Sequence, residues 1–150
     1  MADAQAEPKL LLPLLKPFYD KAVPLSWLVV RIGCGGVLLV HGWGKVTRGP
    51  AAYIKGFTDM GFDPALPWVW AGLIIEFGGA IAIIVGLFTR FFAAAIAVEM
   101  AIITCLYLNN GFSWLNRGYE FTLLWGLVAL AILWRGGGPY SLDRRIGVEL

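Results

Sequence analysis

The sequence predicts an all-α integral membrane protein: a four-transmembrane-helix antiparallel bundle preceded by a short N-terminal interfacial segment. Three observations predict it. Apolar stretches recur at lengths that suit a bilayer crossing, which takes about 20 mostly apolar residues. Charged residues make up 15% of the chain, against about 25% in ordinary soluble domains, and the mean hydropathy is +0.72. The third is where some charges fall. Arg31, Glu76 and Glu99 each interrupt an apolar stretch, where a central charge costs about 2.5–3.5 kcal/mol on insertion scales unless something offsets it.

A chain of 150 residues suits one domain. Its pattern divides into a tail with an interfacial segment (1–24), a membrane domain (25–134) and a second tail (135–150). Met1 to Pro8 is polar and reads as disordered. No basic start or small-residue cleavage pattern marks a removable signal, so the first span is expected to act as the targeting element. Lys9 to Pro24 mixes apolar pairs with Lys16, Lys21 and prolines. Too short and too broken to span, it is expected to lie on the membrane surface.

The first span runs from Leu25 to Trp43, with Trp27 and Trp43 near its ends, where amphipathic rings favour the headgroup level. Its glycines, among them Gly33, Gly35, Gly36 and Gly42, read as a surface for close helix approach. Arg31, Cys34, Leu38, His41 and Lys45 recur at spacings of three and four and share one face. The connector from Gly44 to Pro67 is broken by Pro50, Gly56, Gly61 and Pro64. Within it, Ala51 to Met60 suits a short amphipathic surface helix with Tyr53, Ile54, Phe57 and Met60 on one side.

The second span is Leu66 to Phe88, with Gly72, Glu76, Gly79 and Ile83 on one face. A tight turn at Thr89 and Arg90 leads to the third, Phe91 to Leu108. After a polar loop, the fourth runs from Tyr119 to Trp134. It is short, but Trp114 and Arg135 can sit at the interfaces. Four crossings put both termini on one side. That side carries Lys9, Lys16, Lys21, Arg90, Arg135, Arg144 and Arg145; the other carries Lys45, Arg48, Lys55 and Arg117. The positive-inside rule then places both termini in the cytoplasm, with the lipid bilayer as the chain's solvent. The net charge of +2 gives no ground for nucleic-acid binding.

Depth decides which buried charges can meet. Counting about 1.5 Å per residue from the span ends, Arg31 lies about 9 Å and Glu99 about 12 Å above the cytoplasmic edge. Glu76 falls near mid-membrane, about 15 Å below the outer edge. Arg31 is therefore expected to partner Glu76, Glu99 or both. One positive and two negative charges do not balance, so one carboxyl is expected to stay protonated and the set to be suited to carrying protons. A second group, His41, Lys45 and Glu120, lies toward the outer face, where His41 and Glu120 could exchange a proton or hold a quinone carbonyl. The plainer alternatives are a structural clasp for the first group and interfacial hydrogen bonding for His41. One histidine without a Glu-x-x-His pattern argues against a metal. Cys34 and Cys105 read as small apolar side chains at different depths.

The order of several motifs resembles the DoxX family of small bacterial membrane proteins. They are Arg31, Gly35, His41, Gly42 and Lys45; Glu76, Gly78 and Gly79 closing on Gly86, Thr89 and Arg90; Gly118 and Glu120; and the tail GGGPYSLD from Gly136 to Asp143. The similarity runs from about Leu25 to Asp143. It implies a four-helix inner-membrane protein and a membrane subunit of an oxidoreductase system, some such systems being linked to sulfur compounds and the quinone pool. Related membrane domains bind apolar ligands. No soluble redox domain, haem motif or paired cysteine motif is present in this sequence, so electrons have to come from a partner subunit or a bound quinone. The competing expectation is a non-catalytic structural or assembly subunit of a larger membrane complex. Self-association stays open.

Overall fold

The computed structural model describes residues 8–150; the N-terminal stretch expected to be disordered falls almost wholly outside them. The fold is all-helical, and no strand occurs among the described residues. The principal helices are α1 (Lys16–Arg48), α2 (Ile54–Asp59), α3 (Ala65–Val85), α4 (Thr89–Tyr107), α5 (Glu120–Arg135) and α6 (Leu142–Ile146). Three of the helical stretches, containing α1, α3 and α4, are long and apolar enough to cross a membrane.

α1 differs from expectation at its start. The helix begins at Lys16 and runs unbroken through Pro24, so no separate surface segment precedes the span over Lys16 to Pro24. A proline inside a helix removes one amide donor and costs about 3 kcal/mol. The carbonyl it leaves without a helical donor is that of Asp20, four residues earlier; in the following turn Ser26 Oγ donates to the Val23 carbonyl at 2.7 Å. Gly49, at φ 78°, ends the helix.

α3 is continuous but irregular. Ile74 to Gly79 forms a π-helical turn between two α-helical parts, and Glu76 lies within it. Such turns are uncommon and tend to occur at functional positions. At its far end the Gly86 and Leu87 amides both donate to the Ala82 carbonyl, at 2.8 and 2.9 Å. Gly86 has φ 75°, a conformation that stops the helix without the strain a Cβ would bring.

α1 packs on α3, and α4 packs on α5, as two antiparallel pairs. Glycine sets the first contact: a Cβ at Gly35 would come within 2.7 Å of the Ala80 carbonyl oxygen, and one at Gly42 within 2.5 Å of the Phe77 amide. The backbones therefore meet directly. The two pairs close around Cys34, Leu38, Ala80, Ile83, Ala93, Ile96, Met100, Ala129 and Ile132. These residues lie toward the end where the C-terminal tail folds, here the tail end. Toward the other, connector end, two cavities lie between the helices.

The tail caps its end of the bundle. Asp143, 2% exposed, accepts from the Phe88 amide at 2.7 Å, the Thr89 amide at 2.9 Å and Thr89 Oγ at 2.6 Å. It thus supplies the cap that α4 lacks in its own sequence. Trp27 Nε1 donates to the Gly136 carbonyl at 2.7 Å, under the Arg135 guanidinium. Arg90 donates to the Leu133 and Trp134 carbonyls at the end of α5.

Candidate functional site

The polar cluster toward the connector end is Lys45 and Glu76, both buried, with half-buried Glu99. Lys45 and Glu76 are 8% and 7% exposed, and Lys45 Nζ donates to Glu76 Oε2. Glu99 lies beside them across a glycine gap: a Cβ at Gly72 would stand 3.4 Å from Glu99 Oε1 and 3.8 Å from Lys45 Cε. Glu99 Oε2 is buried and has no hydrogen-bond partner among the described residues. Tyr53 covers the cation from the connector, with Lys45 Nζ 5.7 Å from its ring centroid.

The expected pairing of Arg31 with Glu76 or Glu99 is not what the structure contains. Arg31, fully buried, donates from Nη2 to the Tyr140 carbonyl at 2.6 Å and from Nη1 to the Ile83 carbonyl at 3.5 Å. It binds the tail, at the opposite end of the core. The reason is directional. A helical side chain leans toward the N-terminus of its own helix. In α1 this carries the Arg31 guanidinium toward the tail end, away from the glutamates. The same lean brings Lys45 down onto Glu76, although its backbone lies nearer the connector.

The outer group is dispersed in the same way. Glu120 accepts from the Trp114 amide at 3.2 Å, closing its own loop, and is not paired with His41 among the described residues. His41 is exposed on α1 and lines a cavity between α1, α4 and α5. Sequence reasoning missed Thr89 and Asp143 as a buried polar pair. A tail aspartate and an uncapped helix start were the available signal.

A cavity of about 520 Å³ leads to the Lys45, Glu76 and Glu99 cluster. Its walls are almost wholly apolar: Phe57 and Phe62 from the connector, Trp68, Ala71 and Ile75 from α3, and Ala94, Val98 and Ile102 from α4. Trp68, Phe91, Val98 and Leu106 on its rim are exposed, so it opens sideways between α3 and α4. The amphipathic connector helix thus puts Phe57 over this cavity. Chemically, the arrangement is an apolar chamber ending on one cation, one carboxylate paired to it, and one carboxyl with an unmet oxygen. It suits an apolar molecule with a hydrogen-bonding head. Among the described residues no three His, Cys, Asp or Glu side chains converge as metal ligands do.

Comparison with known proteins gives one consistent result. The DoxX family model matches residues 26–109. An uncharacterized protein of Haemophilus influenzae is 33% identical over 131 residues, 84% of this chain and 94% of that protein. The inner membrane protein YqjF of Escherichia coli K12 is 34% identical over 122 residues, 78% of this chain and 88% of its own length. No solved structure matches. With more than half of the chain matched by the family model and relatives aligned over nearly their whole length, this chain is a membrane protein of the DoxX family.

Proposed function

We propose that the chain is a bacterial inner-membrane subunit that binds a quinone between α3 and α4 and supports quinone-linked electron transfer by a partner oxidoreductase. The observation that carries this reading is the apolar cavity ending on Lys45, Glu76 and the unmet carboxyl oxygen of Glu99. A quinone has an apolar body and carbonyl oxygens that accept hydrogen bonds. Lys45 Nζ, or Glu99 in its protonated form, can donate to such an oxygen. When bound, the quinone supplies two-electron, two-proton redox chemistry. The chain's part is to orient the head, keep water from the apolar body and hold a proton at Glu99 or Glu76.

In this reading α5 is a fourth crossing and both termini are cytoplasmic. α5 has 16 residues, about 24 Å at 1.5 Å per residue, and lies antiparallel along α4. Trp134 and Arg135 at one end and Trp114 at the other supply interfacial anchors. The description of the YqjF relative as an inner membrane protein supports the compartment. The balance of basic residues supports the orientation.

Purification in mild detergent followed by lipid extraction tests the reading. Wild-type protein is expected to carry quinone, with occupancy falling at least about tenfold in Glu99→Gln or Lys45→Met, since a hydrogen bond to a charged group contributes about 1.5–3 kcal/mol. Wild-type protein free of quinone, and unable to take up a short-chain quinone, would overturn it. The assembly-subunit reading has one observation in its favour. Leu11, just before the first helical region, and Leu14 and Val23 within its first turns are exposed. A stable partner protein with no bound quinone is its expected signature.

A further inference from the structure

Glu76 borders two cavities. The second, of about 620 Å³, lies between α1, α4 and α5 under the loop that contains Trp114 and Arg117. The two cavities have Glu76, Ile103 and Tyr107 in common. Lys45 and Glu99 line only the first; His41, Arg117 and Thr122 line only the second. Of the shared residues, Glu76 alone carries a carboxylate, and with Ile103 and Tyr107 it borders both chambers.

Three directions lead to Glu76 from outside. From the tail end, the way is closed by the buried layer that includes Ala80, Ile83, Ala93 and Ile96. From the side, the first cavity is apolar and faces the acyl chains, a medium without water. From the connector end, the second cavity has largely apolar walls into which His41, Tyr107, Arg117 and Thr122 bring polar side chains. Trp125, also on its wall, has a buried indole N–H with no partner among the described residues, a group that an ordered water satisfies. A space of this size has room for water, and these side chains with the unmet indole N–H supply the hydrogen-bonding partners that water needs.

We infer that the second cavity is a water-filled route by which Glu76 exchanges protons with the connector-end face, past His41. The first cavity is then the ligand chamber, and the two processes meet on opposite sides of one carboxylate. The charged and titratable groups around Glu76 are Lys45 from α1, Glu99 and Tyr107 from α4, and, across the water cavity, His41 from α1 and Arg117 from the loop before α5. From α5 only the uncharged Thr122, Phe121 and Trp125 face the second cavity. The inference deepens the quinone reading by assigning the side on which the site's protons are exchanged. In the proposed orientation that side is the outer face.

Thiol labelling tests the route without a quinone. Full-length protein carrying Cys34→Ala and Cys105→Ser is reconstituted into lipid vesicles with Thr122→Cys at the cavity's shallow part, Leu38→Cys at its deep end, or Ala94→Cys in the first cavity. A charged, membrane-impermeant methanethiosulfonate is expected to modify both second-cavity cysteines at least about tenfold faster than Ala94→Cys, because only a hydrated space admits it. Equal rates, or labelling of Thr122→Cys with Leu38→Cys silent, would overturn the route. Proton passage is read in the same vesicles from the carboxylate infrared band after a step in external pH. Relaxation is expected to be at least about tenfold slower in Thr122→Trp, which plugs the water cavity, than in Ala94→Trp. Equal relaxation would overturn the proton role. Hydrated labelling in a protein that carries no quinone would leave the route standing and remove the ligand reading alone.

Discussion

Lys45 and Glu76 depend on each other in a way that single substitutions expose. Each is more than nine-tenths buried, and each owes its tolerable energy to the other. Removing one partner of a buried pair leaves an uncompensated charge and costs about 3–5 kcal/mol, whereas replacing both with apolar residues of similar volume is often neutral or better. Lys45→Met alone is therefore expected to lower stability in detergent markedly. Lys45→Met with Glu76→Met should restore most of it and still bind no quinone. Thermal unfolding of the three proteins checks this; equal loss in the single and double variants would show that the pair does not act as a unit. Counting residues along the spans put Glu76 and Glu99 near one level, and the structure has them side by side at one cavity. The sequence did not make the partner legible. Counting locates a Cα, but Arg31 and Lys45 reach several ångströms from theirs, both toward the start of α1. One guanidinium thereby joins the tail and one ammonium joins the glutamates.

At the level of elements, the contact between α1 and α3 rests on the absence of side chains. Gly42 sits against the π-helical turn, with Glu76 and Phe77 backbone atoms where a Cβ would go. Gly42→Ala is expected to push α1 off that turn and to cost about 1–3 kcal/mol, the usual range for overpacking. Because the same turn carries Glu76, quinone occupancy should fall with stability. Gly36→Ala, where a Cβ would meet nothing within 4 Å, is the control and should change little. The glycine-rich seam could be read from composition and spacing. The π-helical turn could not, because its six residues, Ile74 to Gly79, have the same apolar pattern as a regular helix. The passage of α1 through Pro24 was also illegible. Local propensity favours a break there, and a long apolar helix overrides it.

For the molecule as a whole, two helix pairs are fastened together at the tail end, and the two cavities are lined by connector and loop residues toward the other. The fastening is the C-terminal tail: Asp143 caps α4, Tyr140 receives Arg31, and Glu149 accepts from the Gly137 amide and pairs with Arg90. Asp143→Asn keeps the shape but weakens three hydrogen bonds to a charged acceptor. It is expected to cost about 1–3 kcal/mol and to raise protease sensitivity at the tail end, measured by limited proteolysis in detergent. Unchanged digestion would mean that the tail does not hold the bundle. The family motif pointed to this stretch, while the role of its aspartate needed the fold.

The sideways mouth between α3 and α4 has a consequence for how occupancy must be measured. A guest that reaches the protein through the hydrocarbon is counted in mole fraction of membrane, not in molarity of buffer. Diluting proteoliposomes with buffer should leave the chamber as full as before. Adding blank vesicles that exchange lipid with them should empty it, at unchanged total volume.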